Sequence, residues 1–380
     1  MKVMTIVGTR PEIIRLSRVL VRLERDFDHV LVHTGQNWDP QLSDVFFAEL
    51  GLRQPDHWLR VPVSSLGAVL GGVLSGIEPV LLAERPDAVL VLGDTNSCLA
   101  AVLAKRMGIP VFHMEAGNRC FDENVPEETN RRLIDHVADF NLCYTEHARR
   151  HLLAEGLPHR RVLVTGSPMA EVLAAYDDQI DASDVLDRLG LEPRGYYLVS
   201  MHREENVDDL PHLEVLVTAF GQLAARSDLR VVVSTHPRLA KRLQGLSDDA
   251  KQRLELLDPF GYLAYNKLQR HSRCVLSDSG TISEESAISG FPAVTIRNAV
   301  ERPEAMETGS MVLTGIDVDS ICGSVDVVVR DWDAGVRPAV PNDYQVLDCS
   351  LRVARLIRSL SAVHEQWLGL RPKAWRETSP

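Results

Sequence analysis

Residues 112–132 read FHMEAGNRCFDENVPEETNRR, a passage in which a strand ends, a polar loop follows and a helix begins. The apolar run Ile109 to Met114 closes on His113 and Glu115. Pro126 then opens a helical pattern over Glu127 to Val137, the place proline takes in a first turn. Acidic side chains just past the carboxyl end of a buried strand stand where open α/β sheets bind ligands. Glu115 is therefore read as a residue that does chemistry. Glu128 admits two readings, a charge facing the helix N-terminus or a second functional acid.

The alternation of strand and helix extends outward from this passage. Val3 to Val7, His29 to Thr34, Ala88 to Leu92, Val111 to Met114, Phe140 to Cys143 and Val162 to Val164 are short β-rich runs. Their continuous apolar character fits strands buried on both faces. Helical patterns such as Glu12 to Glu24, Asn96 to Met107 and Thr145 to Ala154 lie between them. The pattern restarts at Tyr196 to Ser200, then Val231 to Ser234, Arg253 to Leu256, Cys274 to Leu276, Ala293 to Ile296 and Met311 to Leu313. The expected fold class is α/β, with two Rossmann-like doubly wound domains. Residues 1–167 form the domain with the acids and residues 168–344 a nucleotide domain, with a hinge at Gly166-Ser167-Pro168. The helical pattern within residues 345–380 is expected to return to the first domain.

A chain of 380 residues with 45% hydrophobic content can bury two cores. Its net charge of −12 argues against nucleic acid as a partner, since phosphate backbones need a basic stripe. Six cysteines without a C-x-x-C pair indicate neither a zinc site nor a disulfide framework, which fits a reducing cytoplasm. Lys2 to Val7 leads into Gly8 without a signal-peptide cleavage pattern. Gly71, Gly72, Gly76, Glu78 and Pro79 make Leu66 to Ala83 a poor membrane span. A soluble cytoplasmic enzyme is expected.

Five further strand ends carry candidate chemistry. Gly8-Thr9-Arg10-Pro11-Glu12 offers backbone N–H groups at a helix start, with the Arg10 fork suited to phosphate. It is neither G-x-G-x-x-G nor a P-loop. Asp94, after Gly93, is either an N-cap or a third acid converging with Glu115 and Glu127. Crowded carboxylates raise one another's pKa, so one can donate a proton while another accepts. His202 and Arg203 end a strand of the second half, and there they either neutralise a phosphate leaving group or form surface charge pairs. His236, before Pro237, repeats the theme or serves only a turn. Ser279, Gly280 and Thr281 form a hydroxyl-rich turn that can cradle a pyrophosphate, and Glu285, one turn on, can bind a ribose diol.

Taken together, Gly8-Thr9-Arg10-Pro11-Glu12, Gly93-Asp94-Thr95, His113-Met114-Glu115-Ala116-Gly117, Pro126-Glu127-Glu128-Thr129-Asn130-Arg131, His202-Arg203, Asp278-Ser279-Gly280 and Glu301-Arg302-Pro303-Glu304 resemble the non-hydrolysing UDP-N-acetylglucosamine 2-epimerase family. The likeness covers nearly the whole chain. It implies two domains facing a central cleft, a GT-B-like glycosyltransferase architecture, and usually a homodimer. It implies inversion at carbon 2 of a UDP-sugar by anti elimination of UDP through 2-acetamidoglucal, then re-addition, with no metal and no cofactor. By position, Asp94, Glu115, Glu127 and His202 match the catalytic residues. Arg10, Ser279 and Gly280 match phosphate contacts, Glu285 a ribose contact and Tyr265 an aromatic near the uracil. Arg15, Arg131, Arg203, His236, Thr281 and Arg302 complete the expected UDP-sugar contacts.

The chain departs from the family in places. Arg15 stands where many members have lysine, and Thr281 replaces a common second glycine. Gln36-Asn37-Trp38-Asp39 differs from a pattern tied to an activating UDP-GlcNAc site. Asn96-Ser97-Cys98, Asn118-Arg119-Cys120 and Thr281-Ile282-Ser283 look more like the branch that forms 6-deoxy sugars such as UDP-N-acetyl-L-fucosamine. The readings carried forward are a UDP-N-acetylhexosamine 2-epimerase, its 6-deoxy counterpart, a glycosyltransferase on the same architecture and a non-catalytic sugar-nucleotide sensor.

Overall fold

A computed structural model describes residues 1–35, 46–235, 237–243, 245 and 253–369. The chain divides into two units, one of residues 1–117, 123–171 and those from 347 onward, the other of residues 118–122 and 172–346. His236 and the Gln36 to Asp39 segment lie outside the described residues.

The first unit is built on a wholly parallel sheet. Its strands are β1 (Lys2–Val7), β2 (Asp28–His33), β3 (His57–Trp58), β4 (Ala88–Leu92), β5 (Val111–Met114), β6 (Phe140–Cys143) and β7 (Val162–Val164), in the order β3-β2-β1-β4-β5-β6-β7. Strand order reverses between β1 and β4, and the crevice at such a reversal is where ligands bind. β4 is buried along its whole length. Val89 and Val91 join a core with Met4, Ile6, Val30 and Val32, and the opposite face is covered too. That two-sided burial is why the strand reads as an unbroken apolar run.

The tract marked as a poor membrane span forms one helix, Leu66–Glu84, long and apolar enough by length and composition to cross a membrane. Its Val69, Val73, Ile77 and Leu81, spaced at i+4, are buried in the same core as β4. The helix Cys349–Leu368 packs on the helix Arg10–Asp26 of this unit, and Arg358 donates to the Asp26 carbonyl at 3.1 Å.

The second unit repeats the plan. β8 (Tyr196–Met201), β9 (Arg230–Thr235), β10 (Leu254–Leu257), β11 (Cys274–Ser277), β12 (Ala293–Thr295) and β13 (Val312–Leu313) form a parallel sheet in the order β10-β9-β8-β11-β12-β13. The period-2 alternation divides β8 cleanly, with Tyr197, Val199 and Met201 in one core and Tyr196 and Leu198 in the other. Here the reversal lies between β8 and β11.

Two local features escape the sequence pattern. β3 is only two residues long, too short to show a periodicity. The expected helix Asn96 to Met107 is a 3-10 turn, Asn96–Leu99, followed by the helix Ala100–Arg106.

Two histidines of β2 make the first unit acid-sensitive. His29 sits 2.9 Å from Thr5 Oγ1, and burial, with Arg53 nearby, pushes its pKa down to about 4. His33 accepts the Gly35 N–H at 2.9 Å, and burial pushes it down to about 4 as well. In the unfolded chain both take up protons near the ordinary pH of about 6.5. The folded state therefore holds its full stability above that pH and loses it as pH falls toward 4, by roughly 3 kcal/mol per histidine at the limit. Urea midpoints should drop steeply between pH 6.5 and 5, and the double variant H29Q/H33N should flatten that slope. An unchanged slope would contradict the assignment.

Candidate active site

In the first unit the site grows from the ends of β1, β4 and β5. Gly8 closes β1 so tightly that a Cβ there would lie 2.4 Å from Thr34 Oγ1 and 2.9 Å from Ser97 Cβ. The buried Glu12 carboxylate then accepts the backbone N–H groups of Gly8 at 2.6 Å and Thr9 at 2.7 Å. It also accepts the hydroxyls of Thr95 at 2.8 Å and Ser97 at 2.5 Å. Burial pushes the Glu12 pKa up, against the opposing pull of these donors. Glu12 thus fastens the Gly8-Thr9 turn before Arg10 to the loop that carries Asp94. The Arg10 guanidinium lies over the Phe46 ring, 5.4 Å from its centroid.

Asp94 takes Nε and Nη2 of Arg131 on one carboxylate oxygen, at 2.9 and 2.6 Å. It is not an N-cap, because Thr95 occupies that position before the 3-10 turn. Glu115 has a left-handed backbone, φ 63°, uncommon for a residue with a Cβ. Its carboxylate pairs with Arg15. A Cβ on Gly93 would stand 3.2 Å from Glu115 Oε2, so the glycine leaves room for the acid. β4 and β5 are direct neighbours, with Leu92 opposite Met114, which sets Asp94 and Glu115 side by side.

Glu127 lies in the first turn of the helix Pro126–Val137, partly exposed and one turn before Arg131. Glu128 is buried, held by Arg131 at 3.0 Å and Arg132 at 3.1 Å, which accounts for it as a structural charge. Two acids of the converging set also each have an arginine partner, Arg15 at Glu115 and Arg131 at Asp94. Arg131 is therefore engaged within the protein by Asp94 and Glu128.

In the second unit the site lies at the ends of β8 and β11. Asp278 is fully buried and accepts the backbone N–H groups of His202 at 3.1 Å and Arg203 at 3.0 Å. It also accepts the Asn206 amide at 3.2 Å, and His202 Nδ1 lies 3.0 Å away. Burial alone would raise its pKa, but the facing His202 and the backbone donors outweigh that and lower it. An ionised Asp278 thus fixes the Nδ1 side of the His202 ring. Ser279 Oγ and Thr281 Oγ1 lie 3.0 Å apart across the turn before the helix Ile282–Ser289.

A Cβ on Gly280 would meet Arg302 Nη1 at 3.2 Å and Arg203 Nη2 at 3.6 Å, so two guanidinium groups flank this turn. Arg302 is buried, donating to the Gly280 carbonyl and pairing with Glu284 at 3.2 Å. Glu285 accepts the Gln269 amide at 2.7 Å. Tyr265, on the same helix as Gln269 (Tyr262–His271), has its hydroxyl pKa raised by burial and by the nearby Glu285.

Sequence reasoning missed several residues that hold this machinery. Glu12 carried a usable signal, the T-x-x-E capping pattern from Thr9. Asp278 stood in the quoted Asp278-Ser279-Gly280 motif without a role, and Gln269 and Asp135 gave no signal, because their partners Glu285 and Gly117 lie on other elements. Among the described residues no group of three or more His, Cys, Asp or Glu is placed to hold a metal ion. Cys98, Cys274, Cys322 and Cys349 are free thiols.

Comparison with known proteins identifies the family. A family model described as UDP-N-acetylglucosamine 2-epimerase matches residues 21–358. The UDP-N-acetylglucosamine 2-epimerase of Methanocaldococcus jannaschii is 36% identical over 350 residues, covering 87% of this chain and 94% of that protein. A crystal structure of the M. jannaschii enzyme in complex with UDP-GlcNAc and UDP matches with a TM-score of 0.88 at 32% identity, over 94% of this chain and 99% of that one. The structure of UDP-N-acetylglucosamine 2-epimerase from Rickettsia bellii matches with a TM-score of 0.90 at 42% identity, over 98% of this chain and 100% of that one. The UDP-2,3-diacetamido-2,3-dideoxy-D-glucuronate 2-epimerase of Pseudomonas aeruginosa is 36% identical over 330 residues, 85% of this chain and 91% of that protein. With its acids at the ends of β4 and β5, its hydroxyl turn after β11 and relatives matching along most of its length, the chain belongs to the UDP-N-acetylglucosamine 2-epimerase family.

Proposed function

We propose that this chain interconverts UDP-N-acetylglucosamine and UDP-N-acetylmannosamine without a cofactor. The observation that carries the reading is the pair of neighbouring acids, Asp94 and Glu115, each backed by an arginine, at the ends of β4 and β5 beside the switch point of the first sheet. A carboxylate takes the proton from carbon 2 while the bond from carbon 1 to UDP breaks, its electron pair leaving with UDP. A carbon–carbon double bond forms between carbons 1 and 2, giving 2-acetamidoglucal. Re-addition of UDP at carbon 1 returns a proton to carbon 2 on the opposite face, with Glu127 completing the set of acids. His202, held by Asp278, and Arg203 neutralise the departing diphosphate. Ser279, Gly280 and Thr281 cradle it, Glu285 receives the ribose and Tyr265 lies by the uracil.

The test is to incubate the pure protein with UDP-GlcNAc and identify the sugar released by mild acid. N-Acetylmannosamine supports the reading. No epimer from UDP-GlcNAc, but one from a 6-deoxy or a 2,3-diacetamido uronate analogue, would move the substrate and keep the reaction.

The protein acts in this reading as a cytoplasmic homodimer. Six cysteines without a disulfide framework support the first part, and Leu66, Leu74 and Leu82, exposed along the helix Leu66–Glu84, support the second. Sedimentation equilibrium should give a dimer for the parent and a monomer for L74E/L82E, and a monomeric parent would contradict it.

A further inference from the structure

Beneath the two acids lies a pair of titratable groups that the reaction does not use. His113, on β5, and Asp135, on the helix Pro126–Val137, are both fully buried. His113 Nε2 lies 2.7 Å from the Gly93 carbonyl. A carbonyl can only accept, so Nε2 carries a proton. His113 Nδ1 lies 3.0 Å from Asp135 Oδ1, so each ring nitrogen faces an acceptor oxygen. Asp135 in turn accepts the Gly117 N–H on both oxygens, at 3.2 Å each.

The chain of contacts runs from Gly93, the residue before Asp94, through His113 and Asp135 to Gly117, two residues after Glu115. The far side of that second turn is also fixed, since His151 Nδ1 lies 2.9 Å from the Gly117 carbonyl. Gly93 N–H donates to the Met114 carbonyl at 3.0 Å and completes the bracket. A left-handed residue with a Cβ keeps that conformation only where its surroundings over-determine it, and Glu115 is bracketed in this way.

We propose that His113 and Asp135 form a buried imidazolium–carboxylate clamp that positions Asp94 and Glu115 against each other. The proposal rests on the epimerase reading for its kinetic test and on geometry alone for the clamp. His113 and Asp135 are positioning residues, touching no substrate. Burial works against a charged imidazole, yet Asp135, with Gly93 and the nearby Asp94, outweighs it and raises the His113 pKa. The groups that face the imidazole are thus Asp135 and Asp94, the latter itself paired with Arg131.

Two variants and one spectrum test the clamp. In D135N the side chain keeps its size and its acceptor for Gly117 N–H but loses the charge. In H113N the side chain can still reach Asp135 but no longer the Gly93 carbonyl. Each should lower kcat 10- to 100-fold, with KM and the Kd for UDP within twofold of the parent, since Ser279, Gly280, Thr281 and Glu285 belong to the other unit and neither variant alters Arg10. Nitrogen-15 NMR at pH 7.5 should show His113 of the parent protonated on both nitrogens and that signature lost in D135N.

Folded variants with parental kcat would overturn the proposal. A neutral His113 ring in the parent would overturn it too. So would variants in which kcat, UDP affinity and thermal stability all fall together, because that is general loss of structure. A parent that lacks epimerase activity but shows the doubly protonated ring, lost in D135N, would refute the functional reading and sustain the clamp.

Discussion

Glu115→Gln is expected to turn over UDP-GlcNAc two to four powers of ten more slowly than the parent while binding UDP almost equally well. The range is that of a lost acid–base group. The amide preserves the shape of the side chain and an oxygen for Arg15, so the left-handed turn at residue 115 has no new reason to collapse. What disappears is the ability to take or return a proton. UDP affinity is the internal control, because Ser279, Gly280, Glu285 and Arg203 lie in the second unit. Asp94→Asn and Glu127→Gln should fall in the same range. Asp94→Asn also takes one charge partner from Arg131, which keeps its pair with Glu128, so a modest loss of stability should accompany it. Steady-state kinetics with a separate UDP titration reads all three. A parallel loss of UDP affinity would place these acids in binding rather than chemistry.

Gly117→Ala should be the most damaging single methyl in the first unit. Gly117 has φ +84°, and a Cβ there would lie 2.3 Å from the Ala148 carbonyl oxygen and 2.8 Å from its carbon. Those atoms are helix backbone and cannot swing aside as a side-chain tip can. Left-handed strain costs about 1–2 kcal/mol, and overpacking about 1–3 kcal/mol more. The sum of about 2–5 kcal/mol is a large part of a domain's stability. Gly156→Ala is the matched control. Its φ is +91°, but nothing lies within 4 Å of the added Cβ, so only the conformational cost applies. Urea unfolding should separate the two by about 1–3 kcal/mol, and equal midpoints would show that the helix Glu146–Ala154 yields easily.

The fold was legible because parallel strands buried on both faces leave continuous apolar runs. β4 and β8 are located by such runs alone. β3 was not, since two residues at the sheet edge carry no pattern. The acids were legible for a different reason. Asp94 and Glu115 end apolar runs abruptly, and a carboxylate there demands an explanation. Their partners stayed hidden. Arg15 is one hundred positions from Glu115 and Arg131 thirty-seven from Asp94, so only the folded chain reveals that the acids are paired with cations. Asp278 is hidden in the same way, reaching back 76 positions to fix His202.

The central claim is that UDP leaves and returns while a proton is removed from carbon 2. Its most direct test is to run the reaction on UDP-GlcNAc in heavy water and examine carbon 2 of the product by NMR. The account predicts deuterium at carbon 2 of the epimer, with traces of UDP and 2-acetamidoglucal escaping into solution. Epimer formed with its original carbon 2 proton, and no exchange with solvent, would contradict elimination and re-addition.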